Sequence, residues 1–180
     1  MRRASGDTAR PGARRGADRV NGGPPRAAKI LVAGVGNLLL GDEGAGIHAV
    51  RELARQAPPG VDIVDAGTAL GEIVGRLGGY RKLILVDAVE AGGAPGQIVR
   101  LEIRDENDLA AAPLPLSLHE LGVAEALRQA RLLGLLPPQV VLLGVQPARI
   151  APGLKLSAAV ARALPALVEA IRAEAAQPLI

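Results

Sequence analysis

Cysteine, phenylalanine and tryptophan are all absent from this 180-residue chain, and Tyr80 is its only aromatic residue. Without cysteine there is no disulfide, no zinc–thiolate site and no cysteine nucleophile. A reducing cytoplasm suits such a chain, and cytoplasmic is the expected location. Without aromatic platforms there is nothing on which to stack unpaired bases, so no nucleic-acid partner is expected. Serine is scarce too: Ser5 lies near the start, while Ser117 and Ser157 read as helix caps. No GxSxG elbow is present, so a serine hydrolase is a poor reading. No apolar run is long enough to span a bilayer, so no membrane partner is expected. The core has to be aliphatic, and the length suffices for one domain with a sizeable interior.

The formal charge of +3 hides an asymmetry. Residues 1–29 carry a net +6, and the remainder carries −3. The first stretch is rich in Gly, Ala and Pro and has no apolar periodicity. Residues 1–28 are therefore expected to be a disordered basic tail, with 29–180 forming a single α/β domain. Arg2-Arg3 opens no export signal, because no apolar segment follows. The chain is expected to be monomeric.

Beyond the tail, strand and helix patterns alternate. Short apolar runs at 29–34, 61–65, 82–87 and 139–146 read as strands. Helical patterns cover 45–57, 69–77, 117–133 and 157–174, and Gln97–Ile103 reads as an edge strand. Ser117-x-x-Glu120 has the form of a capping box. This order predicts an α/β fold of three layers, a mostly parallel twisted sheet between helices with an antiparallel edge strand. Ligands in such sheets gather beyond the carboxyl ends of the strands. Glu43, Asp65 and Asp87 stand at such ends.

Gly34-x-Gly36, between a strand and a helix start, raises a dinucleotide site with Asp65 as its ribose acid. Leu39 occupies the third glycine position, and two acids near the helix start would repel a pyrophosphate. A metal site fits better. Asp42 reads as a helix N-cap, with Glu43 in the first turn. Asp87 ends a buried strand, where a charge needs a partner, a helix N-terminus or a metal. His119 falls in the first turn of its helix, where the dipole favours a neutral ring able to coordinate. Two carboxylates and an imidazole suit a borderline divalent ion. His48 borders an apolar helix face and reads as a half-buried packing residue.

The segments GVGNLLLGDEGAG, VDAGT, LILVDA, SLHELG and LLGVQP, in this order and spacing, resemble the [NiFe]-hydrogenase maturation endopeptidases. The likeness runs from about Ile30 to at least Pro147. It implies a peptidase that removes a short C-terminal peptide from the hydrogenase large-subunit precursor once nickel has been inserted. It places nickel ligands on Glu43, Asp87 and His119, and assigns another activity-linked acid to Asp65. Three mechanisms remain open. The trio reads nickel held by the precursor; or a metal polarises the scissile carbonyl or activates water; or Asp42 or Asp65 acts as a base toward water. The alternative functions are a non-enzymatic nickel-sensing chaperone of the same precursor and, further off, a nucleotide-binding α/β enzyme.

Overall fold

Five apolar runs form one sheet: β1 (Ile30–Val35), β2 (Val61–Gly67), β3 (Lys82–Ala88), β4 (Ile98–Glu102) and β5 (Gln139–Val145). The structure is a computed structural model that describes residues 30–104 and 118–179, without the side chains of 118–121. The predicted tail and the Ser117 cap lie outside the described residues. Strand order is β2-β1-β3-β5-β4. β2, β1, β3 and β5 run parallel, and β4 returns antiparallel along β5, pairing Ile98 with Val145 and Glu102 with Val141. The sheet is the predicted one, edge strand included.

Strand alternation divides the core into two layers. Leu31, Ala33, Leu83, Leu85, Val140 and Leu142 face one side. There they meet a short 3-10 helix (Leu70–Arg76) and helix α2 (Leu118–Leu132), through Leu70, Val74, Val123 and Leu127. Ile30, Val32, Ile84, Val86, Val141 and Leu143 face the other side. There they meet α1 (Ala45–Ala54) and α3 (Ala158–Ala176), through Val50, Leu53, Leu167 and Ile171. Because β1 and β3 are covered on both faces, they read as unbroken apolar runs.

The predicted helix over 69–77 is 3-10 rather than α. Gly71 and Gly75 weaken α-helical winding there, and Leu70, Ile73 and Leu77 still reach the core. Ser157 does cap α3, its hydroxyl accepting from the Val160 N–H at 3.3 Å. At the amino end of the sheet, Lys82 and Glu174 are both fully buried and paired, and Arg100 donates to the same carboxylate at 2.7 Å. That cluster ties the last turn of α3 to β3 and β4. Among the described residues, no helix is long and apolar enough to cross a membrane.

Candidate functional site

The carboxyl ends of β1, β2 and β3 converge on Gly36. Its N–H donates to the Gly67 carbonyl at the end of β2 (2.9 Å), while Asn37 N–H donates to the Glu43 carbonyl (3.3 Å). Gly36 has φ +133°, which L side chains rarely adopt. A Cβ there would overlap the Glu43 carbonyl and come within 3.6 Å of Asp87 Oδ1. Gly36 thus packs between the backbone of Glu43 and the carboxylate of Asp87.

A second pair of glycines sets the approach of α1. A Cβ on Gly34 would lie 2.5 Å from a Val50 methyl and 2.7 Å from the Gly46 carbonyl. A Cβ on Gly46 would strike the carbonyls of Val35 and Val86. Close helix–strand packing, which a dinucleotide fold takes from its third glycine, here falls to Gly46 after a longer loop. That displacement makes room for the Asp42–Gly44 3-10 turn, which carries the acids.

Asp42 is not the N-cap predicted for it. Gly41 occupies that position, and no side chain caps the turn. Asp42 is 1% exposed, and its carboxylate turns away to a distant loop. Oδ1 accepts from the Ser157 N–H at 2.6 Å, and Oδ2 from those of Ala148 (2.9 Å) and Arg149 (3.3 Å). Burial alone would raise its pKa; the N–H donors, together with the Ser157 hydroxyl, outweigh burial and hold it below the usual carboxylate value. Sequence distance hides the cause: the donors are more than 100 residues away.

Glu43 and Asp87 are 7% and 3% exposed. Asp87 Oδ1 accepts from the Ala88 N–H at 2.7 Å. Alternation from Leu83 and Leu85 puts Asp87 on the face of the sheet that α2 covers. His119 is the second residue of α2, so its backbone belongs to that same layer; its side chain lies outside the described residues. Among the described residues no group of three His, Cys, Asp or Glu is placed to hold a metal ion. Two buried acids, Glu43 and Asp87, are of the donor type that suits a divalent ion, and a nitrogen donor such as His119 would complete the set.

Asp65 stands apart from this pair. Alternation along β2 places it on the α1 face with Val61 and Ile63. There Arg51 holds Asp65 Oδ2 through Nε (3.1 Å) and Nη2 (2.9 Å), and Oδ1 accepts from the Gly67 N–H (3.1 Å). His48 is half-buried on α1, as expected for a packing residue. Burial first, and then the Arg51 charge, push its pKa down.

The buried Gln146 escaped the reading of single residues. Its Oε1 accepts from the N–H groups of Ala91 (2.7 Å) and Gly93 (3.2 Å), fixing the loop that follows Asp87. Its place at a strand end, in LLGVQP, was the signal. A cavity of about 670 Å³ lies at the opposite end of the sheet, between Arg100, Arg104, Gln139 and Pro178. It is remote from these acids.

The sequence profile of the hydrogenase maturation proteases matches residues 47–174. A hydrogenase 2 maturation protease of Escherichia coli is 38% identical over 81% of this chain and 90% of its own length. A hydrogenase expression/formation protein, HupD, of Bradyrhizobium diazoefficiens is 40% identical over 66% of this chain, and the match spans only 62% of that longer protein. Among solved structures, the hydrogenase maturating endopeptidase HybD of E. coli superposes with a TM-score of 0.72. It is 35% identical, and the match covers 81% of this chain and 91% of that one.

Proposed function

This chain belongs to the hydrogenase maturation protease family, and from that premise we propose that it is an endopeptidase removing a short C-terminal peptide from the nickel-loaded large-subunit precursor of a [NiFe] hydrogenase. The observation that carries the reading is the burial of two acids, Glu43 and Asp87, beside Gly36 at the carboxyl ends of the strands, Glu43 meeting it through its backbone carbonyl and Asp87 through Oδ1. In this reading nickel arrives with the precursor and is part of the substrate. Glu43 and Asp87 contact it through oxygen, with His119 as the nitrogen donor. Nickel bridging enzyme and precursor adds binding that an unloaded precursor lacks, and a tenfold preference needs only about 1.4 kcal/mol.

Asp42 has a different part. A carboxylate saturated by N–H donors and held below its usual pKa is a poor proton acceptor, so Asp42 positions the loop from Ala148 to Ser157. Asp65, at its own strand end and steadied by Arg51, is the acid left to orient a water. In this reading the reaction takes place in the cytoplasm and the enzyme acts as a monomer.

Incubation with nickel-loaded and with nickel-free precursor, followed by mass measurement, tests the reading. Truncation of the loaded form alone is the expected result. Tight binding of loaded precursor without truncation would instead identify a chaperone. Efficient cutting of nickel-free precursor would reject nickel as the recognition element.

A further inference from the structure

Gln146, in LLGVQP, has no part in the chemistry assigned to the acids, yet it is 5% exposed and fully engaged. It directly follows β5. Its Oε1 accepts from the N–H groups of Ala91 and Gly93, and its Nε2 donates to Glu90 Oε2 and to the Pro147 carbonyl, each at 3.3 Å. A side-chain amide offers two donors and two lone pairs, and here all four positions are filled. The Gln146 backbone holds the far end of the same loop. Gly96 N–H donates to the Gln146 carbonyl, and Gln146 N–H to that of Gln97, each at 2.8 Å.

The loop so held begins at Asp87. β1 pairs with β3 as far as Val86, and β5 pairs with it as far as Ala88. Past those points other bonds fix the chain. Ala88 N–H donates to Asp87 Oδ1 (2.7 Å), Val89 N–H to the Val145 carbonyl (3.0 Å), and Ala91 N–H to the Val89 carbonyl (3.0 Å) as well as to Gln146. Val89 closes the corner: it is buried, and a Cβ on Gly144 would lie 2.7 Å from its Cγ2. The N–H that orients the Asp87 carboxylate therefore belongs to a short, tight segment anchored on Gln146.

We propose that Gln146 is a positioning residue: by fixing the turn from Glu90 to Gly93 it holds the Ala88 N–H in place, and so aims the Asp87 carboxylate at the nickel of the precursor. The inference rests on the endopeptidase reading, in which Asp87 is an oxygen donor to nickel. Hydrogen-bond partners of a metal-binding carboxylate orient it, and losing such support costs about 10–100-fold in affinity or activity. Gln146 thereby serves specificity, since the Asp87 contact exists only when nickel is present.

Cleavage of nickel-loaded precursor by the wild-type protein comes first, since its absence would sink the endopeptidase reading itself. Amide hydrogen exchange on the enzyme alone judges the link from Gln146 to Asp87 separately. Gln146→Leu keeps the bulk and removes the amide. Its Ala91 and Gly93 amides should exchange at least about tenfold faster than in wild type, and Ala88 with them. Binding of nickel-loaded precursor should weaken by about tenfold or more, with nickel-free precursor bound as before. Gln146→Glu keeps an acceptor for the two N–H groups but sets an oxygen against Glu90, and should lose the preference for nickel as well. Gln146→Glu/Glu90→Gln restores a donor–acceptor pair with the roles exchanged and should recover most of it. That recovery decides the matter even where Gln146→Leu folds poorly. Ala88 protection unchanged while Ala91 and Gly93 exchange faster would overturn the proposal, because the loop would then be held without effect on Asp87. So would equal weakening toward both precursors, the mark of a merely structural role.

Discussion

Replacing Asp42 by Asn removes one charge and one acceptor oxygen from a buried pocket lined by the N–H groups of Ala148, Arg149 and Ser157. Asn keeps a single carbonyl oxygen. It can serve Ser157 or the Ala148–Arg149 pair, and it turns its own NH₂ toward the other, donor against donor. Hydrogen bonds to a charged acceptor contribute about 1.5–3 kcal/mol, and a buried donor left unsatisfied costs about 1–3 kcal/mol. A net loss of about 3 kcal/mol follows. For a domain of this size each kcal/mol moves the melting temperature by about 2–4 °C, so Asp42→Asn should melt about 6–12 °C lower. The folded-state pKa of Asp42 is depressed. Its contribution is therefore whole above the unfolded-state value of about 3.9 and fades as pH falls through the folded value. The gap between wild type and Asp42→Asn should be flat from neutral pH down to about 5 and close only below about 4. Thermal melts across pH, paired with cleavage kinetics at a temperature where both proteins are folded, measure both effects. Kcat should fall by less than about tenfold, with KM taking the larger change. If Asp42 were instead the general base, kcat would drop by about 10²–10⁴ with the melting temperature unchanged, and the positioning argument would be refuted.

Gly36→Ala should be inactive, because the new Cβ overlaps the Glu43 carbonyl at a φ that Ala resists. A displacement of about 1 Å in such a site costs about 100-fold in rate, and wild-type cleavage by this variant would show that Glu43 need not stay where it is. Asp87→Ala and His119→Ala should each abolish peptide release in a mass assay while His48→Ala keeps most of it; an inactive His48→Ala beside an active His119→Ala would reverse the two histidines. Glu174→Ala should destabilise by about 3–5 kcal/mol in denaturant melts, since it strands Lys82, 1% exposed, as a buried charge. Lys82→Met/Glu174→Leu should recover most of that loss, and no recovery would mean that packing rather than charge dominates there.

Local pattern determined the sheet. β1, β3 and β5 are aliphatic because both their faces are covered, and the half-exposed edge strand β4 reads differently for the complementary reason. Strand ends bounded by glycine therefore placed Glu43, Asp65 and Asp87 on one edge before any coordinates. The glycine-rich segment also marked the site, since close backbone approach is written in the residues that lack a Cβ.

How each acid is partnered depends on contacts that sequence spacing does not encode. Asp42 and Glu43 are adjacent and both buried, yet the Asp42 carboxylate is bound to the loop before α3 while the Glu43 backbone carbonyl packs on Gly36. The same one-residue alternation of the sheet put Asp65 on the α1 face beside Arg51 and Asp87 on the α2 face. The N-cap assigned to Asp42 failed because local propensity ranks only nearby donors, and three amides from Ala148 to Ser157 compete better once folding brings them close. The backbone pairing of Gly41 with Ile150 was equally hidden, because two segments about 110 residues apart meet only after the parallel sheet has set their separation.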